Sequence, residues 1–504
     1  MSRIKRNVFA NLAGSAWAPL LAIALVPFYL RYLGIEAYAL VGIFTLMQTS
    51  LVLFDLGLGL TVTRGLARLS LQENPEASQR DLLRTVEGVY LTIAMVIAVG
   101  VWLGAEPISL RWIQPGRLPI GTVITAVRWM GIANAMYYAA MLYRSALLGL
   151  DRQVLMNAVT VVFGTVRAAG ALAVLVLWSP GITAFLRWQT LAVLGLVLTF
   201  AHLTWRTLRG PTPARFRPEL LRQEWRYSAK VSTSLILNVI ITNADKVFLS
   251  ALLPLATFGY YTLASGIAAA PALITVPMNT AVFARLTQLI ESGMEEDLAS
   301  LYHTTAQTIA ILVLPGAALV IFFSRSVIRL WTHNPDAVAN ASGLASLLIC
   351  STAVIGLCTL PGFMASAGGK PQVMTRTNIG AVIVILPLMA WVAPRFGAVG
   401  AASVWIVLSL FHLFGAVPLA HRFFLRGELM RWYVDDTLKP ILAVAAVVVP
   451  ARLLLPHPAS IIGQLAFLAS IFLASTLAAV AASNRVRNLV MSYAALALRS
   501  ASTR

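Results

Sequence analysis

Long apolar stretches recur along the whole chain and are separated by short polar connections. Each is about as long as the roughly 20 residues that a helix needs to cross the hydrocarbon core of a bilayer. Fourteen stretches can be marked, at 9–30, 37–60, 86–104, 122–147, 154–177, 181–203, 229–252, 257–283, 304–323, 339–364, 374–393, 398–420, 440–455 and 459–482. The pattern predicts an all-α, polytopic membrane protein with about 14 transmembrane helices.

Composition supports this fold class and argues against a soluble enzyme. Of the 504 residues, 59% are hydrophobic and 11% are charged, whereas about 25% are charged in soluble chains. The predicted connections on the outer side are short, so they offer no room for a catalytic domain. The two cysteines, Cys350 and Cys358, lie in one apolar stretch without the spacing of a metal site. We therefore expect neither catalysis, nor a metal, nor a cofactor.

The positive charge of the chain is distributed unevenly between alternate connections. Of the 38 lysines and arginines, 26 fall in the N-terminus, the even-numbered connections and the tail, and seven fall on the opposite side. By the positive-inside rule both termini are then cytoplasmic. The net charge of +19 is accordingly a topology signal, and no nucleic-acid partner is expected. Residues 204–228 form a basic cytoplasmic linker, and residues 483–504 a basic cytoplasmic tail that we expect on anionic membrane lipid.

Short segments repeat at an offset of about 220 residues, a spacing typical of duplicated transporter folds. Residues 33–38 open the second span as residues 255–260 open the eighth. The repeat predicts two pseudo-symmetric six-helix lobes, at 1–203 and 229–422, with the substrate site between them. Two additional transmembrane helices, at 438–482, lie outside the repeat.

Prolines interrupt two of the predicted spans in particular. Pro19 and Pro27 lie in the first span, and Pro271 and Pro277 lie in the eighth. Because a proline inside a helix removes one backbone hydrogen bond, kinks are expected in both spans. Such kinks are either hinges for alternating access or static bends filled by neighbouring helices.

A set of short motifs, taken in order, resembles one protein family. The motifs are Asn11, PFYLRYLG at 27–34, FDLGLG at 54–59 followed by Arg64, ADKV at 244–247, GYY at 259–261 and FGAVGA at 396–401. Over about residues 5–420 the chain resembles the polysaccharide flippases of the multidrug/oligosaccharidyl-lipid/polysaccharide exporter superfamily. Among these it is most similar to the O-antigen flippases of Gram-negative bacteria, which serve lipopolysaccharide synthesis.

The resemblance implies an activity, a location and partners. It implies a flippase of the bacterial cytoplasmic (inner) membrane that moves an undecaprenyl-pyrophosphate-linked oligosaccharide from the cytoplasmic to the outer leaflet. Transport would proceed by alternating access through a cationic cavity between the lobes. A coupling ion, either a proton or sodium, and a polysaccharide polymerase are the further partners expected.

Charged side chains inside the spans are the candidate substrate ligands. A charge at mid-bilayer costs roughly 2.5–3.5 kcal/mol, so such residues usually face the protein interior. The candidates are Arg167, Arg187, Arg128, Lys246 and Arg144, with Arg31 at the end of the first span. This excess of cations suits an anionic pyrophosphate, which arginine can hold with two parallel hydrogen bonds. Arg167 is nearest the centre of its span, whereas Arg144 could instead extend to the lipid headgroups.

Polar residues align along one face of the seventh span. Ser234, Asn238, Thr242 and Asp245 recur at helical spacing. Three interpretations remain open: hydrogen bonds between helices, a salt bridge from Asp245 to an arginine, or a cation site for coupling. For the third, the ion-coupling candidates are Asp245, Asp55, Asn238 and Thr242.

Two other functions are alternatives to the flippase. A MATE-type exporter of cationic drugs needs an acidic or aromatic site, and the excess of buried arginine argues against it. A polytopic polymerase or ligase acting on lipid-linked glycans needs a sizeable outer loop, which the chain lacks. The pair Asp435–Asp436 on a cytoplasmic connection is expected to be a solvated turn rather than a transferase site.

Overall fold

The structure is a computed structural model that describes residues 3–71, 75–210, 213–456, 458, 460–489 and 491–492. Across this part of the chain the elements are helices, and the β-bridge between Gln114 and Pro254 belongs to no strand. The predicted all-α fold is confirmed. Residues 493–504, most of the predicted basic tail, lie outside the described residues.

The first of two compact units comprises Met1–Thr262. Its helices are α1 Arg3–Ser50, α2 Val52–Asp55, α3 Leu58–Leu69, α4 Pro75–Arg111, α5 Ile120–Gly149, α6 Gln153–Leu177, α7 Ile182–Thr207, α8 Pro218–Leu252 and the first part of α9 Leu255–Ala268. Helix α5 is central, because it packs against α3, α4 and α7, while α6 packs against α1 and α7. Leu66, Leu83 and Tyr138 are fully buried in the resulting core.

The second unit comprises Leu263–Arg504. Its helices are the end of α9, α10 Ala270–Glu291, α11 Glu295–Thr332, α12 Pro335–Leu357, α13 Thr359–Ala367, α14 Gln372–Phe411, α15 Val417–His421, α16 Leu429–Arg431, α17 Lys439–Leu454 and α18 Ile461–Ala482, with π-helical turns at His412–Ala416 and Trp432–Leu438. Helix α11 packs against α12, α17 and α18. Ile311, Phe323 and Val448 are buried between these last helices.

The packing units do not begin and end where the sequence repeat does. Helix α8 begins at Pro218, inside the predicted linker 204–228, and packs within the first unit. The lobes at 1–203 and 229–422 and their pseudo-symmetry therefore stay predictions. The two additional helices predicted at 438–482 correspond to α17 and α18, which pack against each other.

The described residues contain eleven helical segments that are long and apolar enough to cross a membrane. Two of them, Leu20–Asp55 and Gln372–His421, each cover two predicted spans. Both are interrupted by glycine, at Gly34 (φ 76°, ψ 171°) and at Gly397 (φ 57°, ψ −140°). Helix α5 corresponds to the fourth predicted span but is not among the eleven. The number of spans thus depends on how these helices are divided, and fourteen stays a prediction.

Hydrogen bonds join connections that the alternating topology places on the same side of the membrane. On the predicted outer side, the Glu36 carboxylate accepts from the backbone N–H groups of Arg117 at 2.9 Å and Leu118 at 3.0 Å. On the predicted cytoplasmic side, Asp81 accepts from the backbone N–H of Arg215 at 2.7 Å. The grouping agrees with a multi-pass arrangement, and the assignment of the sides stays a prediction.

Candidate functional site

Arg167 lies in the middle of α6 and is half-buried. Its Nε donates a hydrogen bond of 2.8 Å to Oε1 of Gln189 on α7. Its guanidinium carbon lies 5.7 Å from the centre of the Tyr137 ring on α5. Among the described residues, no carboxylate forms an ion pair with it. The hydrogen bond to Gln189 uses one of the five N–H donors of the guanidinium, so the group keeps its charge and most of its donors.

Buried neighbours fix the backbone around this arginine. The Tyr29 hydroxyl, on α1, donates to the carbonyl oxygen of Ala168 at 3.1 Å. The Tyr29 ring packs edge-on against Phe185 of α7, with the ring centres 5.3 Å apart. Gln189 is 5% exposed. Three helices therefore hold the segment that carries Arg167, which is the preorganisation that an anion ligand needs.

Arg128 and Arg187 lie against tryptophan rings. The Arg187 guanidinium is 5.7 Å from the ring centre of Trp129, and that of Arg128 is 5.2 Å from the ring centre of Trp102. Arg187 is exposed and Arg128 is half-buried. A cation over an aromatic face contributes about 0.5–1 kcal/mol at exposed sites. These contacts position the two guanidinium groups without neutralising them.

The other predicted substrate ligands have different surroundings. Arg144, at the end of α5, and Arg31 are exposed, and the Arg31 guanidinium lies 5.9 Å from the ring centre of Tyr32. Within the described chain, no hydrogen bond or ring contact joins either of them to Arg167. Lys246 forms an ion pair with Asp245. Among the described residues, each candidate cation therefore has its own neighbours, and a shared substrate site stays a prediction.

Asp245 is the most buried of the predicted ion-coupling residues, at 1% exposed. Its Oδ2 accepts a hydrogen bond of 2.5 Å from the Tyr261 hydroxyl, and its Oδ1 lies 3.6 Å from Nζ of Lys246. The adjacent lysine is thus one charged neighbour of Asp245, and a salt bridge to an arginine stays a prediction. The Thr242 hydroxyl donates to the backbone carbonyl of Asn238 at 2.8 Å. The hydrogen bonds of Asp245 and Thr242 agree with contacts within and between helices, and the cation site stays a prediction.

Asp55 lies where α2 gives way to α3. The two residues after it, Leu56 and Gly57, adopt left-handed backbone angles, with φ of 46° and 84°. The Asp55 carboxylate accepts from the backbone N–H of Gly59 at 3.3 Å and from the hydroxyl of Tyr90. A carboxylate at a helix N-terminus satisfies an unpaired N–H and complements the helix dipole. Asp55 thus caps α3, and its role in ion coupling stays a prediction.

The surroundings of Asp436 differ from those predicted from the sequence. The expectation of a solvated turn at 435–436 is wrong for Asp436, which is 1% exposed and contacts His303 and Gln307 of α11. Asp435 does form a local pair with Lys439, at 2.6 Å. Sequence analysis missed this cluster because 133 residues separate His303 from Asp436. The available signal was the spacing of His303 and Gln307, four residues apart on one helix face.

The sequence matches a family model over residues 4–290, and that family is described as polysaccharide biosynthesis protein. This match covers more than half of the chain. No curated protein sequence matches this chain.

Solved structures with a similar fold are membrane transport proteins. The lipid II flippase MurJ, in an inward closed conformation, matches with a TM-score of 0.71 and 13% identity over 95% of this chain and 98% of that one. An inward-facing multidrug resistance MATE family transporter of the MOP superfamily matches with a TM-score of 0.62 and 15% identity, over 86% and 96%. A MOP superfamily transporter from Pyrococcus furiosus, described as having a binding pocket of reversed polarity, matches with a TM-score of 0.55 and 15% identity, over 86% of this chain and 96% of that one. At these identities the likeness shows the fold alone.

Proposed function

Because the chain belongs to the polysaccharide biosynthesis protein family, we propose that it flips an undecaprenyl-pyrophosphate-linked oligosaccharide from the cytoplasmic to the outer leaflet of the bacterial inner membrane. The members of this family, and the solved proteins that share the fold of this chain, are transporters and flippases rather than enzymes. The observation that carries the proposal is the half-buried Arg167, whose hydrogen-bond partner is the neutral Gln189 and which forms no ion pair with a carboxylate of the described residues.

A diphosphate must meet fixed positive charge if it is to leave the headgroup layer. The guanidinium of Arg167 is held through Nε by a neutral amide, so its remaining donors are available to two phosphate oxygens. Arg128 and Arg187, each against a tryptophan, supply further positive charge. Several spread cations bind the anion less tightly than one closed clamp, which allows release on the far side.

The wider scheme is part of the same proposal. Transport proceeds by alternating access through a cationic cavity, coupled to a proton or sodium at Asp245. By resemblance, the glycan is an O-antigen unit for lipopolysaccharide, and a polysaccharide polymerase receives it. The MATE-type exporter remains the second candidate, supported by the shared fold. The positive charges of Arg167, Arg128 and Arg187 disfavour it, since a cationic drug would be repelled by them.

The test is flipping of the lipid-linked glycan in proteoliposomes. We expect Arg167→Ala to slow flipping about 10- to 100-fold, because hydrogen bonds to charged groups contribute roughly 1.5–3 kcal/mol and 1.4 kcal/mol is about tenfold. Arg167→Lys keeps the charge but loses the fork, so it should retain partial activity. Arg167→Glu should be inactive.

Two further variants sharpen the result. Gln189→Glu places a carboxylate on Nε of Arg167 and neutralises it, so it should inhibit flipping although the arginine is intact. Arg395→Ala removes an exposed arginine that also lies against its own tryptophan, Trp391, at 4.9 Å, and should leave the rate unchanged. Wild-type flipping by Arg167→Ala contradicts the proposal. Export of a cationic drug by the same protein would favour the MATE-type function.

A further inference from the structure

A histidine in the second unit lies between two carboxylates. His303, on α11, is 1% exposed. Its Nδ1 contacts Oδ2 of Asp436, and its Nε2 lies 3.1 Å from Oε2 of Glu428. An ionised carboxylate can only accept hydrogen bonds, and a neutral imidazole carries one N–H. If the ring is neutral and both carboxylates are ionised, only one of the two contacts can be a hydrogen bond. Both contacts are hydrogen bonds only when the cluster holds one additional proton.

We propose that His303, Asp436 and Glu428 form a proton-binding site, with the bound proton on the His303 ring. In the proton-bound state the imidazolium donates to both carboxylates, and the three groups carry one net negative charge. Release of the proton to water leaves a neutral ring between two negative charges, and one of the two hydrogen bonds is lost. The site is separate from Asp245 and Asp55 of the first unit, and it does not depend on the proposed function.

The groups around the site stabilise it unequally. Oδ1 of Asp436 accepts from Nε2 of Gln307 at 2.9 Å, so this carboxylate is held on both oxygens. Glu428 has a second charged partner, Arg431, with Nη1 at 3.1 Å from both of its oxygens. When the proton leaves, the His303–Glu428 bond is the one released, because Glu428 can remain paired with Arg431.

The remaining titratable and charged neighbours are not direct partners of His303. Asp435 is paired with Lys439. The Tyr302 ring lies 5.4 Å from that of His303 and 5.5 Å from that of His421, whose Nδ1 is bonded to the carbonyl of Val417. Tyr433 and Cys358 lie near Tyr302. The exchangeable proton therefore belongs to the cluster of His303, Asp436 and Glu428, and His421 supplies a matched control.

A cavity of about 700 Å³ gives the site access to solvent. Glu428, Arg431 and Arg485 line this cavity together with Glu295 and Glu296. The Glu428 side chain is 24% exposed, whereas those of His303 and Asp436 are 2% and 1% exposed. Glu428 therefore connects the buried ring to water, and it is the entry point for the proton.

The cluster also connects elements that are distant in sequence. Oε1 of Gln307 accepts from the backbone N–H of Arg485 at 3.1 Å, and Nη1 of Arg485 donates to the Ser300 hydroxyl at 3.0 Å. Through Gln307, the protonated site ties α11 to the segment after α18 as well as to residues 428–436. Occupancy by the proton should thus control how firmly these segments are held.

The test uses the full-length protein in lipid nanodiscs with nitrogen-15-labelled histidine. The chain has six histidines, and loss of one signal in His303→Gln assigns His303. We expect a doubly protonated ring at neutral pH, retained in His421→Gln. We expect a singly protonated ring in the double variant Glu428→Gln, Asp436→Asn, which keeps the acceptor oxygens but removes the charges. A singly protonated His303 in the wild-type protein at neutral and mildly acidic pH overturns the proposal.

Hydrogen exchange on the unmutated protein provides a measurement that does not depend on variants folding. As pH rises through the NMR transition of His303, the amide exchange rates of residues 428–432, corrected for the intrinsic rate, should increase about tenfold or more, because one hydrogen bond to a charged group is lost. Unchanged protection across that transition overturns the assignment of Glu428. Neither measurement uses a glycan, so neither outcome depends on flipping activity.

Discussion

The charge of Asp245 and its capacity to accept a hydrogen bond can be separated by experiment. The carboxylate is almost fully buried, accepts from Tyr261 and lies near Lys246. Removing a carboxylate from water is costly even where it has partners. Such an arrangement suits a group whose charge is used, either as a cation ligand or as a proton carrier.

We predict that Asp245→Asn abolishes function but not folding. The asparagine oxygen can still accept from Tyr261, so the packing is kept while the charge is lost. Complementation of a flippase-deficient strain should fail, with normal protein level in the membrane. Tyr261→Phe is the converse variant, since it removes the hydrogen bond and keeps the charge. Loss of the protein in Asp245→Asn would instead support a purely structural role.

Asp55 calls for a different experiment because it caps a helix. Asp55→Ala should destabilise the protein by about 1 kcal/mol, the typical effect of losing a capping side chain. Asp55→Asn keeps an oxygen for the Gly59 N–H and should be close to wild type. The measurement is the unfolding temperature in detergent. If Asp55→Asn is stable but does not transport, the charge acts in coupling as well as in capping.

The sequence identified these charged residues because a charge within an apolar stretch is visible without any structure. It did not identify their partners. Gln189 is neutral and lies 22 residues from Arg167, and Trp129 and Trp102 read as ordinary apolar residues. Asp436 was misjudged for the same reason, since its burial depends on His303 and Gln307 from a distant helix. A contact between residues that are distant in the sequence leaves no pattern in the sequence around either residue.

At the scale of the element, helix breaks were predicted in part. In the eighth span the break agrees with the sequence: α9 ends at Ala268, and Pro271 lies in the first turn of α10, where a proline is tolerated. In α1 the non-helical residue is Gly34, which lies in the connection predicted between the first and second spans, seven residues beyond Pro27. The ends of the apolar stretches therefore indicated this break, whereas the prolines of the first span did not.

We predict that Gly34→Ala destabilises the protein by about 1–3 kcal/mol, because φ and ψ of 76° and 171° fall in a region that is essentially restricted to glycine. A side chain there meets no atom within 4 Å, so the cost comes from the backbone alone. Gly316→Ala, inside helix α11 and equally uncrowded, is the matched control and should be neutral or slightly stabilising. Thermal unfolding in detergent compares the two; equal unfolding temperatures would contradict the backbone argument.

At the scale of the whole molecule, the repeat and the packing divide the chain differently. Helix α8 belongs to the first unit because its polar residues contact that unit: Asn243 accepts from Thr49 at 3.0 Å, and Ser250 from Trp112 at 2.9 Å. The repeat places the same helix at the start of the second lobe. The predicted repeat concerns the similarity of sequence segments, whereas the units are defined by contacts, and these need not have the same boundary.

The sidedness predicted from the distribution of lysine and arginine can be tested on this chain. In a background carrying Cys350→Ser and Cys358→Ser, single cysteines replace two exposed arginines in connections assigned to opposite sides, Arg117 and Arg426. Glu36 binds the backbone N–H of Arg117, so Arg117→Cys keeps that contact. A membrane-impermeant maleimide should label Arg117→Cys in intact spheroplasts, and should label Arg426→Cys only after the membrane is opened. The physical reason is the cost of moving loops rich in lysine and arginine across the membrane during insertion. Labelling of Arg426→Cys in intact spheroplasts would reverse the predicted topology, and equal labelling of both sites would refute the odd number of spans between them.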